Sequence, residues 1–238
     1  MNERFGHAII LGASLLLSSL GLGFIAQQTA IDIKEYERSV KVKGLAEREV
    51  KADIALWPIK YTQASNELSA LYQKLERANM DIYAFLVDAG FEADEISLSA
   101  PHITDKWAQD YGDGSKATFR YTATQTLSLY TNKVDLVRDK QAALSELGKT
   151  GLVFINDRYD NRIEYLFSGL NEIKPAMIEE ATTKAREVAD KFAQDSQSQL
   201  GKIKRASQGQ FSINDRDSNT PYIKKVRVVT SVEYYLSD

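Results

Sequence analysis

The sequence predicts an α+β fold. The expected plan is antiparallel sheets with helices packed on one face, in the order ββαββαβαββ, preceded by one N-terminal transmembrane or signal helix. Three observations support it. Several stretches alternate apolar and polar residues with period two, the longest being "ATFRYTATQTLSLYT". Others repeat apolar residues at spacings of three and four. The alternating stretches fall in pairs between the helical ones, which favours antiparallel pairing over βαβ crossovers. No Gly-rich phosphate loop follows any expected strand, so a nucleotide-binding α/β fold is disfavoured.

The chain opens with "MNERFGHAIILGASLLLSSLGLGFIAQQTA", and residues 5–31 contain no Asp, Glu, Lys or Arg. Its apolar heart, Ala8 to Ile25, would cover about 27 Å as a helix, close to the hydrocarbon thickness of a bilayer. Residues 1–30 are therefore a signal anchor or a signal peptide. Cleavage needs small residues at −3 and −1. Ala26 and Ala30 have Phe24 and Gln28 at −3, and the Gly21/Gly23 pair lies inside the apolar run, which favours an uncleaved anchor. Arg4 keeps the N-terminus cytoplasmic, and everything after Ile31 is expected outside.

Residues 31–238 are expected to form one domain. Glu35 to Lys51 reads as a strand with Val40 and Val42 on one face and Gly44 breaking the pattern. Asp53 to Tyr61 alternates and reads as its hairpin partner, with Pro58 marking an edge or a bulge because it lacks a ladder donor. Ser65 to Ala89 is the first helix. Leu68, Leu71, Tyr72, Leu75, Ile82, Phe85 and Leu86 form its stripe, Ser65 is its cap and Gly90 its stop. A strand at Glu95 to Ile103 is followed by a loop and by the long strand carrying Phe119, Tyr121, Ala123, Gln125, Leu127 and Leu129 on one face. Asn132 caps a second helix that ends at Gly148. Leu152 to Ile155 and Arg162 to Phe167 flank the turn "NDRYDN". Glu172 to Gln199 is the longest helix, with Ile173, Met177, Ala181, Ala185, Val188 and Phe192 buried. Ala181, Ala185, Ala189 and Ala193 form an i, i+4 ridge of small residues that allows close backbone approach. Two strands, Lys202 to Ile213 and Tyr222 to Leu236, close the chain around "NDRDSNTP".

Composition narrows the function classes. The 238 residues are 43% hydrophobic and 26% charged, ordinary for a globular protein. The net charge is −3 and no long basic block exists, which disfavours nucleic acid as a partner. The absence of cysteine excludes disulfides, thiol nucleophiles, zinc–thiolate sites and iron–sulfur clusters. His7 and His102 are the only histidines, too few for a multi-histidine metal site.

Three stretches invite a chemical reading. Glu47, Glu49 and Asp53 could supply an acid–base pair, but Lys43, Arg48 and Lys51 lie among them and no apolar shell is evident. The solvated end of a hairpin is the simpler reading. "HITDKWAQDYGDG" offers His102, Asp105, Asp110 and Asp113 as metal ligands or hydrolytic groups. The spacing fits no EF-hand loop, and a polar turn accounts for it. "NDRYDNR" and "NDRDSN" are Asn/Asp-rich turns of the same kind. No G-x-S-x-G elbow or S-x-x-K motif appears. Trp57, Trp107, Tyr121 and Tyr130 read as core or interface residues. No catalytic, cofactor-binding or metal-binding residue is assigned, no cofactor is expected, and a non-enzymatic role is favoured.

"VKVKGLAEREVKADIALWPIKY" resembles the start of the bacterial SIMPL domain, where an apolar-x-V-x-G-x-[AG]-E pattern and a charged turn precede D-x-A and an alternating strand. "EEATTKAREVADKFAQDSQSQLGKIKRAS" is similar to that family's helix of alanines and Lys/Arg followed by L-G-K-I, and "KKVRVVTSVEYYL" to its closing strand. The resemblance spans about residue 38 to 236. One departure is Lys51-Ala52 before Asp53, where proline is commoner in the family. The resemblance implies a periplasmic or surface protein with an α+β fold that tends to oligomerise, in a family linked to oxidative-stress tolerance and envelope physiology. It brings no catalytic residues with it.

The expected function is that of an envelope protein acting by self-assembly or partner binding. It is expected to be anchored in the inner membrane facing the periplasm, or periplasmic if residues 1–30 are removed. Its expected partners are further copies of itself and other envelope proteins. The alternatives are a periplasmic hydrolase or metal-dependent enzyme built on His102 and the nearby Asp residues, and a small-ligand sensor whose cleft is lined by Trp57 or Trp107. The anchor makes a direct prediction: the protein fractionates with membranes and resists extraction by high salt. A soluble mature form beginning after residue 23 or 26 would exclude an uncleaved anchor.

Overall fold

Alternation along residues 39–51 places Val42, Gly44 and Ala46 on one buried face, with charged residues opposite. This is strand β1 (Ser39–Lys51). After Ala52 and Asp53 the chain enters β2 (Ile54–Ser65). The two strands were expected to pair as a hairpin, but they belong to different sheets. The computed structural model describes residues 12, 16–29, 38–108, 118–155 and 161–237. Expectations for Glu35 to Glu37, for the loop 109–117 and for most of "NDRYDN" fall outside these residues, as does part of the apolar heart Ala8 to Ile25. Residues 16–29 form helix α1. No helix among the described residues is long and apolar enough to cross a membrane.

The remaining elements are α2 (Leu68–Asp88), β3 (Ile96–Leu98), β4 (His102–Asp105), β5 (Tyr121–Thr131), α3 (Val134–Gln141), α4 (Leu144–Leu147), β6 (Val153–Phe154), β7 (Glu164–Leu166), α5 (Leu170–Asp195), β8 (Gln199–Gln208), β9 (Ser212–Asp215) and β10 (Ile223–Ser237). The fold is α+β with antiparallel sheets, and the strand–helix order follows the predicted plan with some strands divided. The strand expected at Glu95 to Ile103 is two short strands around Pro101, both antiparallel to β5. A proline there withdraws a ladder donor, so the pairing breaks.

The described residues gather into two compact units. Unit 1 draws on Met1–Glu47, Lys174–Ser212 and Arg227–Asp238; unit 2 comprises Arg48–Ile173 and Ile213–Val226. In unit 1, β10 lies between β1 and β8. The alanine ridge of α5 supplies the opposing layer: Ala181, Ala185, Ala189 and Ala193 are all buried, with Met177 one step earlier. At Gly44 a Cβ would lie 1.8 Å from the carbonyl oxygen of Ala181 and 2.6 Å from the nitrogen of Ala185. Strand and helix backbones touch there, which requires glycine on one side and alanine on the other. Val188 and Phe192, expected on the buried face, are instead exposed. A strict i+4 row advances about 40° around the helix at each step, so the buried line winds away from them. The helix stops at Asp195 rather than Gln199. Gln197 takes a left-handed φ of 55° beyond its end, and β8 begins at Gln199.

Unit 2 is built on a sheet of order β3-β5-β2-β6, with β4 also on β5 and β7 also on β2. α2 covers it with Leu71, Leu75, Ala78, Ile82 and Leu86, while Leu68 and Tyr72 are exposed. From β2 the core takes Ala55, Trp57, Ile59 and Tyr61 rather than Ile54 and Leu56. Phe119 lies before β5 and is exposed. Gly90 ends α2 with φ of 103°, as read. The next helical stretch breaks after Gln141 and ends at Gly151 with φ of 93°, not at Gly148.

One polar network crosses this core. The Tyr61 hydroxyl lies 2.6 Å from Asn79 Oδ1 and 2.8 Å from Gln125 Oε1, with one proton for the two acceptors. Gln125 Nε2 donates to the Ser99 carbonyl at 2.7 Å. This ties β2, β5, α2 and the segment after β3 together with directional bonds, and burial pushes the Tyr61 hydroxyl up to about 12.

Gly44→Ala is expected to destabilise the fold by about 3 kcal/mol, the upper part of the usual overpacking range, because backbone atoms cannot rotate away. Gly148→Ala, where nothing lies within 4 Å of the new Cβ, is the control. Equal urea midpoints for the two variants would contradict the close approach.

Candidate functional site

The charged stretch at Glu47 to Asp53 is the first place to look for chemistry, and its carboxylates are committed to structure. Glu47 pairs with Arg227 at 3.3 Å in unit 1. Glu49 pairs with Arg216 at 3.4 Å in unit 2. Asp53 accepts hydrogen bonds from the backbone N–H of Ser168 (2.8 Å to Oδ1), from the Ser168 hydroxyl (2.8 Å) and from the N–H of Gly169 (3.1 Å). Those groups precede α5, so Asp53 fastens the start of β2 to the entry of the long helix. The stretch was read as the solvated end of a hairpin. It is a crossover between two sheets whose acids each hold a named partner, so the family-like Glu47 and Asp53 have structural work.

His102 and Asp105 do not converge. They are three residues apart on β4, so the period of two sends them to opposite faces. His102 is exposed opposite Thr124. Asp105 takes Arg120 through two guanidinium nitrogens, at 3.1 Å from Nε and 2.9 Å from Nη2, and the Trp107 N–H at 3.0 Å. The guanidinium also lies 4.8 Å from the Tyr121 ring centroid and 5.2 Å from that of Trp107. Arg120 beside it holds the Asp105 carboxyl below its ordinary value of 3.8. Asp110 and Asp113 lie outside the described residues. Among those described, no three His, Asp or Glu side chains are grouped to hold a metal. In "NDRDSN", Asp215 pairs with Lys224, and Asp217 accepts the N–H groups of Asn219 and Thr220 at 2.8 Å each. These carboxylates close a turn.

A cleft of about 1110 Å³ opens in unit 2, between α3, the β6/β7 border of the sheet and the segment from Asp215 to Lys224. Pro58 explains the opening. It pairs with Ser128 of β5 on one side, while β7 covers β2 only at Ile54–Leu56 and β6 only at Tyr61 and Thr62. The Lys60 carbonyl accepts the Ile155 N–H on that outer side, and Pro58 shares its parity. Its donorless nitrogen therefore faces the gap, so the proline marks an edge on one side of an otherwise internal strand. Buried Trp57 contributes to the floor. Tyr165 and Tyr222 meet edge to face, with centroids 6.2 Å apart at 75°. The Arg138 guanidinium lies 3.7 Å over Tyr222 and donates to Asp135 at 2.9 Å. Burial raises the Tyr165 hydroxyl. Of these groups the sequence singled out Trp57 alone. Arg138, Tyr165 and Tyr222 sit on separate elements, and no spacing links them.

A family model described as SIMPL, a protein of unknown function (DUF541), matches residues 40–234. The chain belongs to the SIMPL family. The matched stretch contains Gly44, Glu47 and Asp53, the alanine ridge of α5 and most of β10. The residues that carry the family likeness in this SIMPL chain are thus those that position backbone. A search of curated proteins returned no match.

The Asp105–Arg120 pair gives a pH prediction. The unfolded carboxyl titrates near 3.8 and the folded one lower. Its contribution is therefore complete above the unfolded value and lost as pH falls through the folded one. The wild type should melt above Asp105→Asn near neutral pH, and the gap should narrow as pH falls below the ordinary carboxyl value of 3.8. A gap independent of pH would show that the pair does not act through its charge.

Proposed function

We infer that this SIMPL chain is a membrane-tethered envelope protein that works by assembly and partner binding rather than by catalysis. The observation that carries the reading is the free edge of the unit 1 sheet. Among the described residues β8 pairs with β10 on one side only, and eight of its ten residues are exposed. A strand with a row of unpaired N–H and C=O groups is a template for a strand from another chain. β1 is the opposite terminal strand, so a second copy could pair at either border. Lys202, Lys204 and Arg205 lie on β8, and charge of this kind limits indiscriminate strand addition. The reading therefore favours a closed, finite oligomer over open growth.

The tether is supported by the uncharged run of residues 5–31 and by α1. Leu16, Leu17, Leu20, Leu22, Phe24 and Ile25 expose between 63% and 71% of their surface, a disposition suited to lipid. A non-catalytic role is supported by the commitment of Glu47, Glu49, Asp53 and Asp105 to protein partners. The family link to oxidative-stress tolerance belongs to this reading as a physiological setting for an envelope assembly.

The chain lacks cysteine, so an engineered one reports contacts cleanly. Sedimentation of the full-length protein in detergent is expected to show species larger than the 26.7 kDa monomer, increasing with concentration. Ser207→Cys, on the exposed β8, is expected to give a crosslinked product under oxidation. A strict monomer at high concentration would remove the assembly reading.

A further inference from the structure

The cleft of unit 2 is independent of both the sheet edge and the tether. Its size lies just above the usual range of about 300–1,000 Å³ for small-molecule sites, and its lining combines aromatic rings with charged groups. Arg138 is held for recognition rather than spent on it. Its plane is stacked on Tyr222, and one N–H of the fork is used by Asp135. Among the described residues the rest of that fork has no other hydrogen-bond partner. Such a guanidinium is pre-oriented, so a planar anion can bind it with little further ordering.

The charge around it points the same way. Lys224 and Asp215 neutralise each other, and Lys224 is buried. The remaining charged lining is Lys60, Arg138 and Arg162 against Asp139 and Glu164, with Arg138 also ion-paired to Asp135 at 2.9 Å, so that Lys60 and Arg162 are the cations left to attract an anion. Lys60 and Arg162 have no ion-pair partner among the described residues. Half-buried Tyr222 supplies apolar and π surface beside these cations, while Trp57 and Tyr165 line the cleft as buried rings.

We propose that this cleft binds a small aromatic carboxylate, with Arg138 receiving the carboxylate and the Tyr165–Tyr222 pair flanking the ring. No bond is made or broken; the site is a receptor.

The test uses full-length protein carrying Trp107→Phe in non-ionic detergent, so that Trp57 is the sole tryptophan. The probe is 4-nitrobenzoate, whose nitroaromatic ring quenches tryptophan, with the neutral 4-nitrobenzamide as its isostere. Saturable quenching of Trp57 by the carboxylate is expected, with the amide weaker by at least about tenfold, since a hydrogen bond to a charged group is worth that much. Arg138→Gln should raise the half-saturation concentration by a similar factor. If that variant does not melt cooperatively, Arg162→Gln replaces it and should raise it several-fold. Quenching that does not saturate, that is equal for the amide, or that is unchanged in the folded variant overturns the proposal.

Discussion

The contact between the backbones of β1 and α5 at Gly44 sets the architecture of unit 1. A sheet and a helix usually stand apart by the length of their side chains. Here one side is a missing Cβ and the other a row of alanines, so the separation collapses to peptide against peptide. Little side-chain volume is available for a core at that point, and packing must come from shape. Val42, Val232 and Tyr234 then fill the space around Ala185 and Ala189. Among the described residues a single helix covers this face of the sheet, and β1 and β8 are its terminal strands.

Unit 2 solves a different problem by different means. Its core is large and aromatic, and hydrophobic burial alone would not fix how β2, β5 and α2 register. The Tyr61–Asn79–Gln125 network does so, because each bond has a direction and an unmet partner would be costly in that environment. Asp53 does the same job at the margin, holding the entry of α5 by three donors. Charged residues that look like chemistry in the sequence are thus fasteners. In this chain Gly44 and Asp53 join strands to α5 and Glu47 joins β1 to β10, so the residues of the SIMPL-like pattern serve architecture.

The cleft and the sheet edge have a common origin in incomplete strand pairing. Pro58 leaves β2 open between two short partners, and among the described residues β8 has no neighbour beyond β10. Where a ladder stops, backbone and side chains become available to another molecule. In unit 2 the gap is lined by rings and a pre-stacked arginine, which suits a small anion. In unit 1 it is a bare edge, which suits another strand.

Much of this was legible in the sequence. The period of apolar residues identified α2, β5, α5 and β10, because a helix or strand with one buried face must carry that period whatever it packs against. The alanine ridge was legible as close packing and Gly90 as a stop, whereas Gly44 read only as a break in the strand pattern, because the helix it meets lies far along the chain. The β1–β2 pairing was misread because adjacent alternating segments look alike whether they join each other or separate sheets; only the partners β10 and β5 decide. Val188 and Phe192 were misplaced because the contact line on α5 winds, and winding depends on the surface it meets. The cleft was invisible apart from Trp57, since Arg138, Tyr165 and Tyr222 share no spacing and meet only through the fold. The sequence by itself determined which elements form and to which family the chain belongs, since these follow from local periodicity and a few backbone-fitting residues. The tertiary structure alone decided which charges are neutralised, which strand edges stay open and which side chains converge, because those depend on contacts between residues distant along the chain.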